Sequence, residues 1–374
     1  MTVPFYMHDL GQPELDAVAK VLAGPILTTG TVVADFERRF AERLGVPHCL
    51  GVTSCTGAAH LSFLALGIGP GDEVITTPQT FIATATAIME AGATPVFVDV
   101  EPATGNLDAN LVEAAITPRT RAISPVHLYG QMCDMRALRA LADRHGLAIV
   151  EDAAHCVEGQ RDGVGPGQLG DTACFSFYAT KNLTCGEGGA LVTRRDDLLE
   201  RLRLLRLHGM NKTAADRARE GYQHWDMVTL GWKYNMDNIQ AALLLPQLGR
   251  LDAKWERRRQ LAARYQEQLA GIPGLTVPTP IAGAKHAWHL FTVWTGDGRR
   301  DEVIQGLQRR GIGAMVNYRA IHLLTFFQER YGLPRGSFPH AERIGDQTVS
   351  LPFYPTMPLE QVDQVARALR ELLA

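Results

Sequence analysis

The sequence predicts an α/β fold, with a mostly parallel sheet in a large N-terminal domain and a smaller α+β domain behind it. Three observations predict this. Short apolar runs alternate with helix-period segments from about residue 33 to 235, the pattern of a sheet covered on both faces. At 374 residues the chain exceeds one typical core and suits two domains. The alternation stops after Asn235, where a long helical stretch takes over. The expected division is 1–240 for the large domain and 241–374 for the small one.

The elements follow in order. Asp35 to Leu44 and Ala58 to Leu66 have amphipathic helix spacing, the second closed by Gly67. Glu73 to Thr77 is a short apolar run, Ala83 to Glu90 a helix and Thr94 to Val100 a strand. Ala122 to His127 and Ala148 to Asp152 repeat the strand pattern around a helix at Met135 to His145. Ala173 to Tyr178 and Ala190 to Thr193 add two apolar runs. Asn238 to Leu269 is then expected to be helical with an interruption at Pro246. A strand at His289 to Thr295, a helix at Glu302 to Arg310, a loop with Tyr318 and His322, and a helix at Leu359 to Leu373 complete the chain.

Composition excludes several function classes. The formal net charge of −3 gives no footprint for nucleic acid or an anionic membrane. The arginine runs at 201–206 and 257–259 read as solvated helix faces. None of the six cysteines forms a C-x-x-C pair, so a zinc or redox motif has no support and no metal is expected. Their apolar neighbours suit reduced, buried thiols of a cytosolic protein. The start Met1-Thr2-Val3-Pro4-Phe5 lacks a signal-peptide pattern, and no 18-residue apolar run occurs. The expectation is a cytoplasmic protein.

Lys181 is the most informative of the six lysines. The run from Phe175 to Gly189 delivers it from an apolar strand into a turn of small residues. Packed aromatics and exposed backbone beside an ammonium lower its pKa, as an amine that attacks a carbonyl requires. The carbonyl partner that suits it is pyridoxal phosphate; the alternative is a lysine capping a strand end. The strand ending Val150-Glu151-Asp152 puts a carboxylate where open α/β sheets bind ligands. Asp152 could pair with a protonated ring nitrogen, and His155 could reach the ring's phenolic oxygen. The alternative is an aspartate capping the next helix. Thr53-Ser54-Cys55-Thr56-Gly57-Ala58 offers hydroxyls and amides at a helix start for a phosphate, or a plain capping cluster. Ser176 could add a hydroxyl. Phe81 could cover a flat ring or belong to the core. The segment Gly165 to Gly170 satisfies G-x-G-x-x-G, but no strand precedes it and no helix follows, so a nicotinamide site is rejected.

Together these pieces resemble the DegT/StrS family of pyridoxal-phosphate-dependent nucleotide-sugar aminotransferases, from about Pro25 to the C-terminus. The resemblance rests on Ser54-Cys55-Thr56, the run Pro78 to Ala85, Glu151-Asp152-Ala153-Ala154-His155, the run Thr180 to Gly189, Gly231 to Met236 with Ile239 to Ala242, and Ser350-Leu351-Pro352. It implies the fold-type-I architecture, with a seven-stranded, mostly parallel sheet, and a homodimer whose active sites lie at the subunit interface. Lys181 matches the Schiff-base lysine, Asp152 the pyridinium partner and His155 the ring-oxygen contact. Ser54, Cys55, Thr56 and Ser176 match the phosphate site, Phe81 the stacking position, and Asn235 a residue reaching the neighbouring subunit's cofactor. Cys55 stands where glycine is frequent, and Gly57 replaces the usual alanine.

The implied reaction moves an amino group from an amino acid, glutamate as in the family, to a keto sugar linked to a nucleotide. Some relatives carry histidine in place of the lysine and deoxygenate sugars; Lys181 argues against that branch. Glu151 to His155, His286 to Leu290 and Gly311-Ile312-Gly313 resemble enzymes aminating C4 of 4-keto sugars, including the 4-amino-arabinose type of lipid A modification. Tyr318, Arg319 and His322 are candidates for lining the sugar cleft. The alternatives are an aminotransferase for a cyclitol or antibiotic-precursor ketone, and a pyridoxal-phosphate-binding regulator without catalysis.

Overall fold

The computed structural model describes residues 2–212, 224–296 and 298–374. Helices α1 (Gln12–Leu22) and α2 (Thr31–Leu44) lead into strand β1 (His48–Val52) and helix α3 (Cys55–Ala65). Then come β2 (Glu73–Thr76), α4 (Ala83–Glu90), β3 (Thr94–Phe97), a short α5 (Ala109–Val112), β4 (Thr120–Ile123), α6 (Met135–His145) and β5 (Ala148–Asp152). Strands β6 (Thr172–Ser176) and β7 (Gly189–Thr193) precede α7 (Asp196–Leu205). The seven strands form one sheet in the order β1-β7-β6-β5-β4-β2-β3. All neighbours are parallel except around β7, which runs antiparallel to both β1 and β6. The mostly parallel sheet expected from the alternation is therefore present.

Period-2 alternation decides what each strand presents to each face. On β6, Ala173 and Phe175 pack with α2 residues Phe36 and Phe40, and Phe177 just beyond the strand joins them. The Phe40 ring meets those of Phe175 and Phe177 edge-on at 5.1 and 5.5 Å, each pair adding about 0.5–1.5 kcal/mol beyond area burial. Cys174 faces the opposite side, beneath α3, and Val150 of β5 shares that core. By the same parity Ser176 and Asp152 belong to the α3 face, while Glu151 turns with Ile149 toward α6.

Helix α8 (Asn238–Leu248) and helix α9 (Leu251–Leu269) follow. Here the structure corrects the sequence reading. Pro246 lies inside α8 near its end, and the chain breaks at Gly249 and Arg250 instead. A proline removes only its own amide bond and disturbs the carbonyl one turn back, so the last turn of α8 tolerates it. A second, antiparallel sheet joins β8 (Leu275–Thr276), β9 (Phe291–Thr295) and β10 (Thr348–Leu351). Helices α10 (Arg300–Arg309), α11 (Thr325–Tyr331), α12 (Pro339–Gln347) and α13 (Leu359–Leu373) complete the described chain. Residues of α9, α10 and α13 bury one core with β9 and β10, and Val3 from the N-terminus packs into it.

Three strands stop two or more residues before the ends of their apolar runs. β3 ends at Phe97 rather than Val100, β4 at Ile123 rather than His127, and β6 at Ser176 rather than Tyr178. β9 begins at Phe291 rather than His289. In each case apolar character continues beyond the strand, into buried loop except at the exposed Tyr178, and periodicity cannot tell such loop from strand. Helix α1 escaped the sequence reading although its start is marked by Pro13 and by Glu14, whose carboxylate accepts from the Gly11 amide at 2.8 Å.

Candidate active site

The loop between β6 and β7 is a hairpin connection, closed where Ser176 pairs with Gly189. Beyond that pair, the Phe177 amide donates to the Gly188 carbonyl at 2.8 Å and the Cys185 amide to the Phe177 carbonyl at 3.0 Å. The Thr184 hydroxyl also donates to the Phe177 carbonyl, at 3.1 Å. Lys181 sits at the far side of this closed loop, its amide bonded to the Tyr178 carbonyl at 2.9 Å. Burial pulls its ammonium down to about 8, against the opposing pull of Asp152 and Cys55. A neutral amine is thus accessible near physiological pH.

Asp152 ends β5 on the α3 face. Its Oδ2 accepts from the Thr84 hydroxyl at 2.7 Å and its Oδ1 from the Ala154 amide at 3.1 Å. The Cys55 thiol lies 3.9 Å from Oδ1, and burial with that carboxylate keeps the thiol protonated. No helix begins after Asp152, and a turn runs through Ala154 and His155 instead. The capping alternative for Asp152 is therefore not what the structure shows.

Ser54 caps α3, its hydroxyl accepting from the Gly57 amide at 3.0 Å. The Ala58 amide closes on the Ser54 carbonyl, so the amides of Cys55 and Thr56 stand ahead of the helical ladder. Amides placed so at a helix start suit an anion. Gly189 makes the site possible, since a Cβ there would lie 2.4 Å from the Ser54 carbonyl carbon and 2.7 Å from the Cys55 nitrogen. The missing side chain lets the start of α3 rest on β7 beside Ser176. Together with an amine of lowered pKa and a fixed carboxylate, this cradle fits pyridoxal phosphate. Lys181, Asp152 and the amides of Cys55 and Thr56 are the residues that would hold it.

His155 follows in the turn after β5. Its Nδ1 accepts the Tyr129 amide at 3.2 Å, so Nε2 carries the proton and lies 3.3 Å from the Tyr318 hydroxyl. Its ring packs 4.4 Å from that of His289, and burial together with Lys181 holds it neutral. Phe81 is 53% exposed, its ring 5.7 Å from that of Tyr318. An aromatic left that open at a strand-to-helix junction is not a core phenylalanine.

The remaining candidates divide. Asn235 pairs with Val52 at the end of β1 and donates to the Thr29 hydroxyl at 2.7 Å. Tyr318 joins the cluster, and Arg319 beside it is exposed. His322 does not: it is fully buried, 3.0 Å from the Glu342 carboxylate, with the Phe338 ring against it. Sequence reasoning gave no role to Thr84, Tyr129 or His289, which hold Asp152 and His155 in place. Thr84 stood within the quoted Pro78 to Ala85 run. Tyr129, with its φ of 57°, carried no local signal.

A family model described as the DegT/DnrJ/EryC1/StrS aminotransferase family matches residues 8–370. The spore coat polysaccharide biosynthesis protein SpsC of Bacillus subtilis is 42% identical over 99% of this chain and 97% of its own length. Among solved structures, DesV of S. venezuelae is 42% identical with a TM-score of 0.92, covering 99% of this chain and 98% of its own. The sugar-aminotransferase candidate Spr1654 of Streptococcus pneumoniae, in its PLP form, is 29% identical with a TM-score of 0.93, covering 100% and 98%.

Proposed function

Because the chain belongs to the DegT/DnrJ/EryC1/StrS aminotransferase family, we propose that it moves an amino group from glutamate to a keto sugar carried on a nucleotide. It is a transaminase, and its cofactor is pyridoxal phosphate. The observation that carries the proposal is the Lys181 amine, lowered to about 8 by burial, in one cluster with the Asp152 carboxylate. The product of such a reaction serves polysaccharide synthesis, consistent with what SpsC is named for.

Bound, the cofactor supplies an aldehyde for the amine and a protonated ring that draws electrons from the substrate carbon. The chain's residues do the rest. The Lys181 amine would hold the cofactor and would serve as general base and acid, moving a proton from and to the substrate carbon. The Asp152 carboxylate keeps the ring nitrogen charged, and His155 donates its Nε2–H toward the ring oxygen. The amides of Cys55 and Thr56, with the Ser54 and Ser176 hydroxyls, hold the phosphate, and Phe81 covers one ring face. Tyr318 and Arg319 line the sugar side. His322 would reach that side only by leaving Glu342. The working unit is a cytoplasmic homodimer in which Asn235 reaches the partner subunit's cofactor. Residues 1–240 carry the cofactor site and residues 241–374 shape the sugar cleft.

The purified enzyme should show a visible absorbance band that glutamate bleaches, and borohydride should fix the cofactor to Lys181. A screen of 4-keto and 3-keto nucleotide sugars with glutamate should then return one aminated product. Failure to bleach with any amino acid would remove the proposal.

A further inference from the structure

The carboxylate that faces the ring is held by a relay of two buried hydroxyls. We propose that Thr84, backed by Thr80, is a positioning residue that keeps Asp152 aimed at the cofactor ring; the inference rests on the reading of the site given above. The Thr84 hydroxyl lies 2.7 Å from Asp152 Oδ2. An ionised carboxylate only accepts, so Thr84 donates. Its lone pairs are then left for the Thr80 hydroxyl, 2.8 Å away, which donates in turn. Thr80 and Thr84 are 2% and 4% exposed, so water competes little for either bond. Hydrogen bonds aligned in one direction polarise one another in a low-dielectric interior.

Two further contacts give the relay its meaning. Asp152 Oδ1 is fixed independently by the Ala154 amide at 3.1 Å, so both oxygens are held from different segments and the carboxylate plane cannot rotate. The Thr84 amide also bonds the Phe81 carbonyl at 3.3 Å. The start of α4 therefore presents the ring-covering aromatic and steadies the ring's counter-ion together. Phe81 and Asp152 keep their separation because one short turn carries both duties.

The test is Thr84→Val, which keeps the shape and removes the hydroxyl. Cofactor affinity of the apoenzyme, measured by fluorescence titration, should fall roughly 10- to 100-fold, the value of a hydrogen bond to a charged group. Turnover should fall with it while KM for glutamate stays within about twofold, and Thr84→Ser should restore both. In an Asp152→Asn background, Thr84→Val should add nothing further. Wild-type cofactor affinity in Thr84→Val, or an equal loss in the Asp152→Asn background, would overturn the relay. Should Asp152→Asn by itself leave cofactor affinity and absorbance unchanged, the reading of the site fails first and the relay with it. If Thr84→Val does not fold, Thr84→Ala carries the same comparison.

Discussion

Glu151 and Asp152 are neighbours on one strand and live in opposite environments. Glu151 points toward α6 and is fully buried. Its carboxylate accepts the Gly170 amide at 2.7 Å, the Gly167 amide at 3.0 Å and the His127 ring at 2.9 Å. His127 Nδ1 accepts the Cys133 amide at 3.2 Å, which leaves Nε2 to donate. Three of that group's roughly four acceptor sites are spent on the fold. Asp152, one residue on, is held by Thr84 and Ala154 and keeps capacity toward the cleft. One carboxylate is bound into the fold and the other faces the proposed cofactor site, and the pleat of a single strand separates them.

Breaking the structural side should cost most. Glu151→Leu leaves two buried amides and a histidine without their acceptor. It should lower stability by about 3–5 kcal/mol, measured by denaturant titration. Turnover per folded molecule should stay close to wild type; a stable but inactive variant would erase the distinction. Asp152→Asn should do the reverse, with turnover down roughly 10²- to 10³-fold and a near-unchanged unfolding midpoint.

Two smaller effects sharpen the contrast. Capture of pyridoxal phosphate by the apoenzyme needs the neutral Lys181 amine. Its rate should rise about tenfold per pH unit and level off above about 8. The same ammonium is disfavoured in the fold, since its value falls from 10.5 to about 8. Between those values the unfolded chain binds more protons, so apoenzyme stability should gain from this group as pH rises from 8 toward 10.5. Lys181→Met should flatten that gain in denaturation at pH 8 and 10. Asn235→Ala should weaken cofactor retention only a few-fold, the scale of one lost hydrogen bond. An unaffected variant would place its contact elsewhere.

How much of this was legible follows from what is local. β5, α4, α6 and α13 begin and end where the sequence pattern placed them, because caps and periodicity are short-range. That Lys181, Asp152 and His155 lie close together was legible because strand ends and turn residues mark them. Thr84, Tyr129 and His289 were not: their contacts join residues 26 or more positions away in sequence, and only the packed sheet brings them together. Gly167 and Gly170 show the reverse case. They resembled a phosphate fingerprint in sequence, yet their amides bind Glu151, and a Cβ on Gly170 would lie 2.5 Å from that carboxylate.

The reversed direction of β7 has a practical outcome for anyone altering this chain. Because the lysine rides on a closed hairpin and not on a crossover, its reach is fixed by how β6 and β7 are aligned. Sliding the pair by two positions would carry the amine about 7 Å along the strands. Insertions or deletions between Phe177 and Gly188 should therefore silence the enzyme while leaving a folded protein behind.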